Sequence, residues 1–354
     1  MVDPKIITHP HGDRTFTSTL YYGADVRESL RGLTEKSIQC VVTSPPYWGL
    51  RSYLPEGDPL KGNEIGAEST PEEYVTAMVE VFREVRRVLR DDGTLWLNLG
   101  DSYVGPPRGN KNGWGGSGLN GIQSETYQAK LNGGTATTID KTKLVGLKNK
   151  DLVGIPWMLA FALRADGWYL RSDIIWAKGS CMPEPVTDRP TRSHEYVFLL
   201  TKSSRYFYDA EAVREGAVQA DRVRADKIGG NKGDETHHSP GSIFEGSTTR
   251  NRRSVWTINP RPYKGAHFAT MPPALAEVCV KAGSRAGDTV LDPFSGSGTT
   301  GYVANRLGRH YVGTDLNLDY LPLAEARLMG MDPPETDDAT PSEEGGPSSI
   351  LDML

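Results

Sequence analysis

Two short segments of this chain carry residue types and spacings that could do chemistry. In Ser44-Pro45-Pro46-Tyr47, the two prolines supply no N–H groups and each disfavours helix in the residue before it, so the chain is held in a fixed extended turn. The Ser44 hydroxyl and the carbonyls of Ser44 and Pro45 then serve as acceptors, with the Tyr47 ring beside them. Such a turn would grip an exocyclic amine and stack the base that carries it, although taken alone a rigid strand-to-loop connection is the simpler account. The second segment runs Asp292-Pro293-Phe294-Ser295-Gly296-Ser297-Gly298-Thr299-Thr300-Gly301. Its Gly-x-Gly-x-x-Gly spacing lets the backbone approach a ligand closely, the helix it opens offers N–H groups, and Asp315 at the tip of the next strand suits ribose hydroxyls. A nucleoside cofactor follows. A triphosphate loop would need Lys after the second glycine, where Thr299 stands. A dinucleotide stays open on the glycines alone, but Asp292 directly before the loop would repel a pyrophosphate and attract an ammonium. S-adenosyl-L-methionine, with an ammonium and a carboxylate that a helix N-terminus can hold, fits best.

The elements that must position these segments are legible from apolar patterning. Residues 38–43 read as a buried strand that stops at the Ser-Pro-Pro turn. Thr70-Pro71-Glu72-Glu73 combines an N-cap, a first-turn proline and a capping-box acid, and Val75, Met78, Val79, Phe82, Val85 and Leu89 continue at helical spacing until Asp92-Gly93. A strand over residues 94–99 completes an α/β unit with parallel strands. A helix follows over 155–166, then strands over 168–178 and 195–201. Near the end come a strand at 289–292, a tight turn, a helix at 299–307 and a strand at 311–315. Only a short helical stretch follows Asp315, so the other strands must come from the N-terminal half. The sheet is therefore expected to be doubly wound but permuted, with the unit near residue 40 beside the glycine loop.

Six segments result: 1–104 and 151–208 as the catalytic half, 105–150 as a flexible basic loop, 209–255 as a target-recognition insertion, 256–330 as the cofactor-binding half, and 331–354 as an acidic disordered tail. The formal charge of -5, from 40 basic and 45 acidic side chains, taken whole argues against a nucleic-acid partner. Seven of those acids lie in 331–354, which has no Lys or Arg, so residues 1–330 carry 40 basic against 38 acidic groups, a net +2. The 105–150 loop is the most basic stretch. No apolar run approaches the roughly 18 residues that span a bilayer. Together with the absence of a signal-like N-terminus and the three scattered cysteines (Cys40, Cys181, Cys279), this points to a reducing, cytoplasmic setting without a metal site.

Thr43-Ser-Pro-Pro-Tyr47-Trp followed far downstream by Asp292-Pro-Phe-Ser-Gly-Ser-Gly-Thr-Thr300 resembles the β-class amino-methyltransferases of DNA. The similarity runs from about Tyr21 to Leu328 outside the two polar insertions, and includes RPTRSHEYVFLLTK at 189–202 and AHFATMPPALAEVCVKAG at 266–283. The resemblance implies an α/β fold of the class I AdoMet-dependent methyltransferase type, Rossmann-like and in circularly permuted order, with an inserted target-recognition region. It implies that Ser44, Pro45, Pro46 and Tyr47 form the catalytic turn. Asp292, Pro293, Phe294, Ser295, Gly296 and Gly298 would hold the methionine end of the donor, Thr299 or Thr300 its carboxylate, Asp315 its ribose, and Asp25, in Tyr22-Gly-Ala-Asp25, its adenine ring.

The implied reaction is methyl transfer from S-adenosyl-L-methionine to an exocyclic base amine in double-stranded DNA, with the base flipped out and stacked on Tyr47. Trp48 either assists or packs, and His194 is expected to be structural. In the family the Ser form of the turn accompanies cytosine N4 more often than adenine N6, so cytosine is the expected target and adenine the alternative. Arg222, Arg224, Lys227, Lys232, Arg250, Arg252 and Arg253 are expected on DNA phosphates. An RNA or protein methyltransferase and a non-catalytic binding module are the competing classes. A homodimer is compatible with the resemblance, and no nuclease motif is present, so a cognate restriction enzyme would be a separate chain.

Overall fold

A computed structural model describes residues 2–50, 52–105, 144, 146–181, 184–216, 249–260 and 271–331. Most of the basic loop, the centre of the 209–255 insertion with Arg222, Arg224, Lys227 and Lys232, and the acidic tail lie outside the described residues. The strands are β1 (Lys5–His11), β2 (Arg14–Tyr22), β3 (Ile38–Thr43), β4 (Leu89–Leu99), β5 (Tyr169–Ala177), β6 (His194–Thr201), β7 (Glu215–Gly216), β8 (Thr249–Arg250), β9 (Val255–Thr257), β10 (Thr289–Asp292) and β11 (His310–Asp315). The helices are α1 (Val26–Arg31), α2 (Pro71–Val88), α3 (Ile155–Ala165), α4 (Pro273–Gly283), α5 (Thr299–Arg306) and α6 (Leu321–Leu328).

One sheet organises the molecule, in the order β1-β2-β11-β10-β3-β4-β6-β5-β9. From β2 to β4 every neighbouring pair is parallel, while β6 runs antiparallel to both β4 and β5. Successive residues of a strand face opposite sides, and the two cores follow that rule. Val41, Leu95, Leu97, Phe198 and Leu291 meet α1, α2 and α3 on one face. Cys40, Val42, Trp96, Val197 and Val290 meet α4, α5 and α6 on the other. The fold is thus an α/β sandwich with a parallel-dominated sheet, in agreement with the sequence pattern.

Chain direction across this sheet decides where a ligand can sit. From β3 the chain crosses by α2 to β4 on one side, and from β10 it crosses by α5 to β11 on the other. The reversal between β3 and β10 opens a crevice at their carboxyl ends, the usual ligand site of open α/β sheets. The Ser-Pro-Pro-Tyr turn leaves β3 and the glycine loop leaves β10, so both motifs border that crevice.

Two details differ from expectation. The sheet starts with a hairpin, β1 paired to β2 through Gly12-Asp13, which the apolar pattern does not announce. Its outer strand is mostly exposed, with Ile6 at 60% and only Ile7 buried, so it carries almost no burial pattern. The long helix also stops at Val88 instead of Asp92-Gly93, because Leu89 turns to an extended ψ of 138° and leads straight into β4. The capping box at Thr70 and Glu73 forms as expected.

Close packing of α4 on the sheet depends on Gly283, where a Cβ would lie 2.6 Å from the Cys40 sulfur and 2.8 Å from the Trp96 indole nitrogen. Gly283→Ala is therefore expected to destabilise the protein by about 1–3 kcal/mol, the usual cost of overpacking. A lowered urea midpoint with unchanged slope checks it, and an unchanged midpoint refutes it.

Candidate active site

On the β10 side of the crevice the glycine loop is folded by its own sequence. Gly296 and Gly298 adopt φ of +50° and +78°, a region costly for other residues, and Gly298 thereby caps α5. Gly301 acts through close approach instead. A Cβ there would lie 2.5 Å from the Tyr311 ring, so only glycine lets α5 lie this close to β11. The Tyr22 hydroxyl, 2.7 Å from Ser295 Oγ and 2.8 Å from the Gly296 carbonyl, fixes the loop against β2.

Two carboxylates face each other across this loop. Asp292 Oδ1 accepts hydrogen bonds from Thr43 Oγ1 at 2.6 Å and the Phe294 N–H at 3.1 Å, and its Oδ2 accepts from Thr300 Oγ1 at 2.8 Å. Asp315 Oδ2 accepts from the Gly296 N–H at 2.8 Å and its Oδ1 from the Asn317 N–H at 2.9 Å. Burial pushes both carboxyls up to about 6, against the opposing effect of these hydrogen bonds. Among the described residues no Lys or Arg forms an ion pair with either.

Other expected cofactor residues are placed as follows. Thr300 donates its hydroxyl proton to Asp292, and Thr299 Oγ1 accepts from the buried Arg327 at 2.8 Å. What the helix end offers an anion is therefore its backbone N–H groups, since the first turn of a helix has no internal acceptors for them. Asp25 lies just past β2, where the Gly23 N–H donates to the Asp315 carbonyl at 3.0 Å. Its carboxylate caps α1 through the Arg27 N–H and pairs with the Arg27 guanidinium, both at 2.7 Å. Burial pushes the Asp25 carboxyl up, but its hydrogen bonds and the charge of Arg27 outweigh this and hold it below the ordinary range.

On the other side of the crevice the Ser-Pro-Pro-Tyr turn is packed from below. The Tyr74 hydroxyl donates to the Pro46 carbonyl at 2.9 Å, and Gly100 leaves room for the Tyr47 ring, which would lie 2.5 Å from a Cβ there. Ser44 Oγ stands 3.5 Å from the Tyr47 hydroxyl. That hydroxyl donates to Glu195 Oε2 at 2.6 Å and lies 3.4 Å from Asn98 Oδ1. Burial and then the Glu195 charge push the Tyr47 phenol far up, so it keeps its proton and acts as a donor. Trp48 resolves as packing: it is 1% exposed and its indole N–H donates to the Glu68 carbonyl at 2.8 Å. His194 packs edge-on against Tyr196.

Glu195, Asn98 and Lys178 escape sequence reasoning. A signal exists, since Asn98 and Glu195 are lone polar residues within or beside apolar runs (LWLNL and EYVFLLT). The described arginines of the insertion are already engaged: Arg250 and Arg253 both pair with Glu215, at 2.8 and 2.6 Å, and Arg252 lies over the Trp256 ring.

Residues 38–326, which include both motifs, match the family model described as DNA methylase. The chain belongs to the DNA methylase family. The methylase is 47% identical over 307 residues to the type II methyltransferase M.SmaI of Serratia marcescens, covering 86% of this chain and 89% of that one. It is also 47% identical to M.XycI of Xanthomonas campestris pv. cyanopsidis, covering 88% of each. The PvuII DNA methyltransferase shares its fold with a TM-score of 0.55 at 18% identity, covering 88% of this chain and 86% of that one. So does TTHA0409 of Thermus thermophilus complexed with S-adenosyl-L-methionine, with a TM-score of 0.52 at 24% identity, covering 89% and 94%. The methylase is a site-specific DNA methyltransferase of the N4/N6 family, and S-adenosyl-L-methionine is its methyl donor. Its crevice fits that donor, because a buried and a half-buried carboxylate, Asp292 and Asp315, without an ion-paired cation among the described residues suit a molecule bearing an ammonium, a sulfonium and ribose hydroxyls. Among the described residues no helix is long and apolar enough to cross a membrane.

The raised carboxyl of Asp292 sets a pH dependence. The native protein binds a proton there that the unfolded chain releases between about pH 4 and 6, so this group's contribution to stability is present below pH 4 and lost as pH rises through about 6. Asp292→Asn keeps an oxygen for Thr43 and Phe294, and Thr300 can accept from the new amide while donating to the Val42 carbonyl. The variant is expected to gain stability relative to wild type as pH rises from 4.5 to 7.5, by about 2 kcal/mol for a shift of this size. Urea denaturation across that range reads it, and a pH-independent difference refutes it.

Proposed function

We propose that the methylase transfers its methyl group to the exocyclic N4 amine of cytosine in double-stranded DNA, with the base flipped into the crevice beside β3. The observation that carries this is Ser44 at the head of the Pro-Pro-Tyr turn, one residue from the Thr43 that bonds Asp292. In the family the Ser form of this turn accompanies cytosine more often than adenine. The PvuII enzyme, cytosine-N4-specific, has the same fold, which is therefore able to house that reaction.

When bound, S-adenosyl-L-methionine supplies an electrophilic methyl on a sulfonium sulfur, which an amine lone pair takes by in-line displacement. Asp292 would receive its ammonium, the backbone start of α5 its carboxylate, Asp315 its ribose, and the segment ending in Asp25 would border its adenine. The loop residues Pro293, Phe294, Ser295, Gly296 and Gly298 shape that pocket, with Thr299 and Thr300 acting through Arg327 and Asp292. Ser44 and a carbonyl of the turn accept the amine's two N–H bonds. This draws the delocalised lone pair out of the ring plane and aims it, a positioning effect. Ser44 is too weak a base to take a proton before attack, so the proton leaves to water afterwards. Tyr47 stacks the flipped base and offsets part of the unstacking cost, by roughly 1–3 kcal/mol.

Residues 209–255 form the target-recognition segment in this reading, and the type II character of the relatives suits protection of DNA against a cognate nuclease on another chain. Nucleoside analysis of DNA methylated with labelled donor tests the target base. N4-methyldeoxycytidine is expected, absent with Ser44→Ala, whereas only N6-methyldeoxyadenosine would sink the cytosine assignment. A second measurement addresses recognition. Replacing Arg250, Arg252 and Arg253 by alanine should weaken DNA binding and make the slope of log K against log salt less steep by about 0.9 for each phosphate no longer neutralised. Donor affinity should stay the same, and an unaltered salt slope removes this strip from the DNA interface.

A further inference from the structure

Three neighbouring strands converge on one hydroxyl behind the catalytic turn. β4 supplies Asn98, β6 supplies Glu195, and the residue after β5 is Lys178. Because β6 runs antiparallel to both neighbours, its first residues lie at the edge where β4 and β5 end, and Glu195 pairs in register with Trp176. Glu195 is only 8% exposed. Its Oε2 accepts from Tyr47 at 2.6 Å and from Asn98 Nδ2 at 3.2 Å, and its Oε1 is in an ion pair with Lys178, whose ammonium also lies 4.5 Å from the Trp176 ring centre. Asn98 is itself oriented by donating to the Tyr196 carbonyl at 3.1 Å.

We propose that Glu195 is a positioning residue of the methyl-transfer site, acting through Tyr47 to orient the Ser44 hydroxyl. Its two oxygens are already engaged by Tyr47, Asn98 and Lys178, so it does not act as the base for the substrate amine. Its effect is on direction. A phenol has one proton, and Glu195 claims it, which leaves the Tyr47 oxygen to the Ser44 hydroxyl 3.5 Å away only as an acceptor. Ser44 then points its own proton inward and its lone pairs outward, the polarity needed to accept an amine N–H. Without Glu195 the Tyr47 proton is free to turn to Ser44 Oγ, where it takes up acceptor capacity the substrate amine needs. The same bond pins the ring on which the base stacks. This inference rests on the base-stacking and amine-gripping reading above.

A double-mutant cycle tests it, with methyl transfer to DNA read as kcat and KM and with equilibrium donor binding as the control for folding. Tyr47→Phe keeps the ring and deletes the hydroxyl. Glu195→Gln presents an amide whose nitrogen must face either Lys178 or Tyr47. Each single variant is expected to lose roughly tenfold or more in kcat, with KM for DNA and donor affinity little changed, as for a misplaced reacting group. The double variant should be no slower than the slower single one, since both break the same chain. Adding Lys178→Met to Glu195→Gln should recover part of the loss, because the amide nitrogen can then face away from Tyr47. Multiplicative losses in the double variant, or full activity in Tyr47→Phe, overturn the proposal. Tyr47→Ala separates the two ideas. If it retains activity, the stacking reading itself fails; if it is inactive while Tyr47→Phe and Glu195→Gln behave as wild type, stacking survives and the Glu195 role falls.

Discussion

One hydrogen bond joins the two halves of the chemistry: Thr43 Oγ1 to Asp292 Oδ1, 2.6 Å across 249 residues of chain. Thr43 is the last residue of β3 and Asp292 the last of β10, and the two strands are parallel neighbours. Thr300, in the first turn of α5, closes the link by donating to the other oxygen of Asp292 while lying 3.3 Å from the Val42 carbonyl. The carboxylate is thus gripped from both sides of the crevice. Any slip of β3 along β10 would break this bond and carry the Ser44 turn away from the glycine loop, so the register of this one strand pair governs the relation between amine and donor.

That arrangement carries an electrostatic cost. Asp292 is buried and Asp315 half-buried near it, and loss of water pushes both carboxyls up to about 6, above the ordinary acidic range. Hydrogen bonds from two threonines and three backbone N–H groups offset part of the desolvation but bring no positive charge. Binding of a cationic donor relieves the remainder, and by linkage whatever binds only the native state stabilises it. The same burial that weakens the ligand-free protein at neutral pH therefore selects a positively charged ligand over a pyrophosphate.

How much of this could be read from the sequence depends on how local each signal is. The glycine loop is a strand, turn and helix within adjacent residues, and β10, α5 and β11 fall within one residue of expectation. The Ser-Pro-Pro-Tyr turn is equally local, because proline sterics act on immediate neighbours. The β1–β2 hairpin is hidden because its outer strand buries almost nothing. The end of α2 is obscured because Leu89 continues the helical apolar spacing while belonging to the sheet. Asn98, Lys178 and Glu195 cannot be grouped at all without the strand order, since only the β4-β6-β5 pairing brings them together. The pairing of Arg250 and Arg253 with Glu215 is not readable from sequence either, since that partner lies 35 and 38 residues away.

The strand order also divides the labour. In the proposed reading the donor side of the crevice is built by β2, β11, β10 and the start of α5, and the amine side by β3, β4, β6 and β5, with the seam between β10 and β3. Neighbouring strands are about 4.8 Å apart. A nucleophile and the carbon it attacks must approach to about 3–3.5 Å in line, so a donor held at one strand end and an amine held at the next are separated by little more than the reacting atoms require. Had the two motifs sat on strands one further apart, the gap between strand ends would be roughly twice that spacing. The permuted chain order satisfies this requirement as well as an unpermuted one, because what the reaction needs is adjacency in the sheet, and adjacency is set by strand pairing and not by the order in which the strands are synthesised.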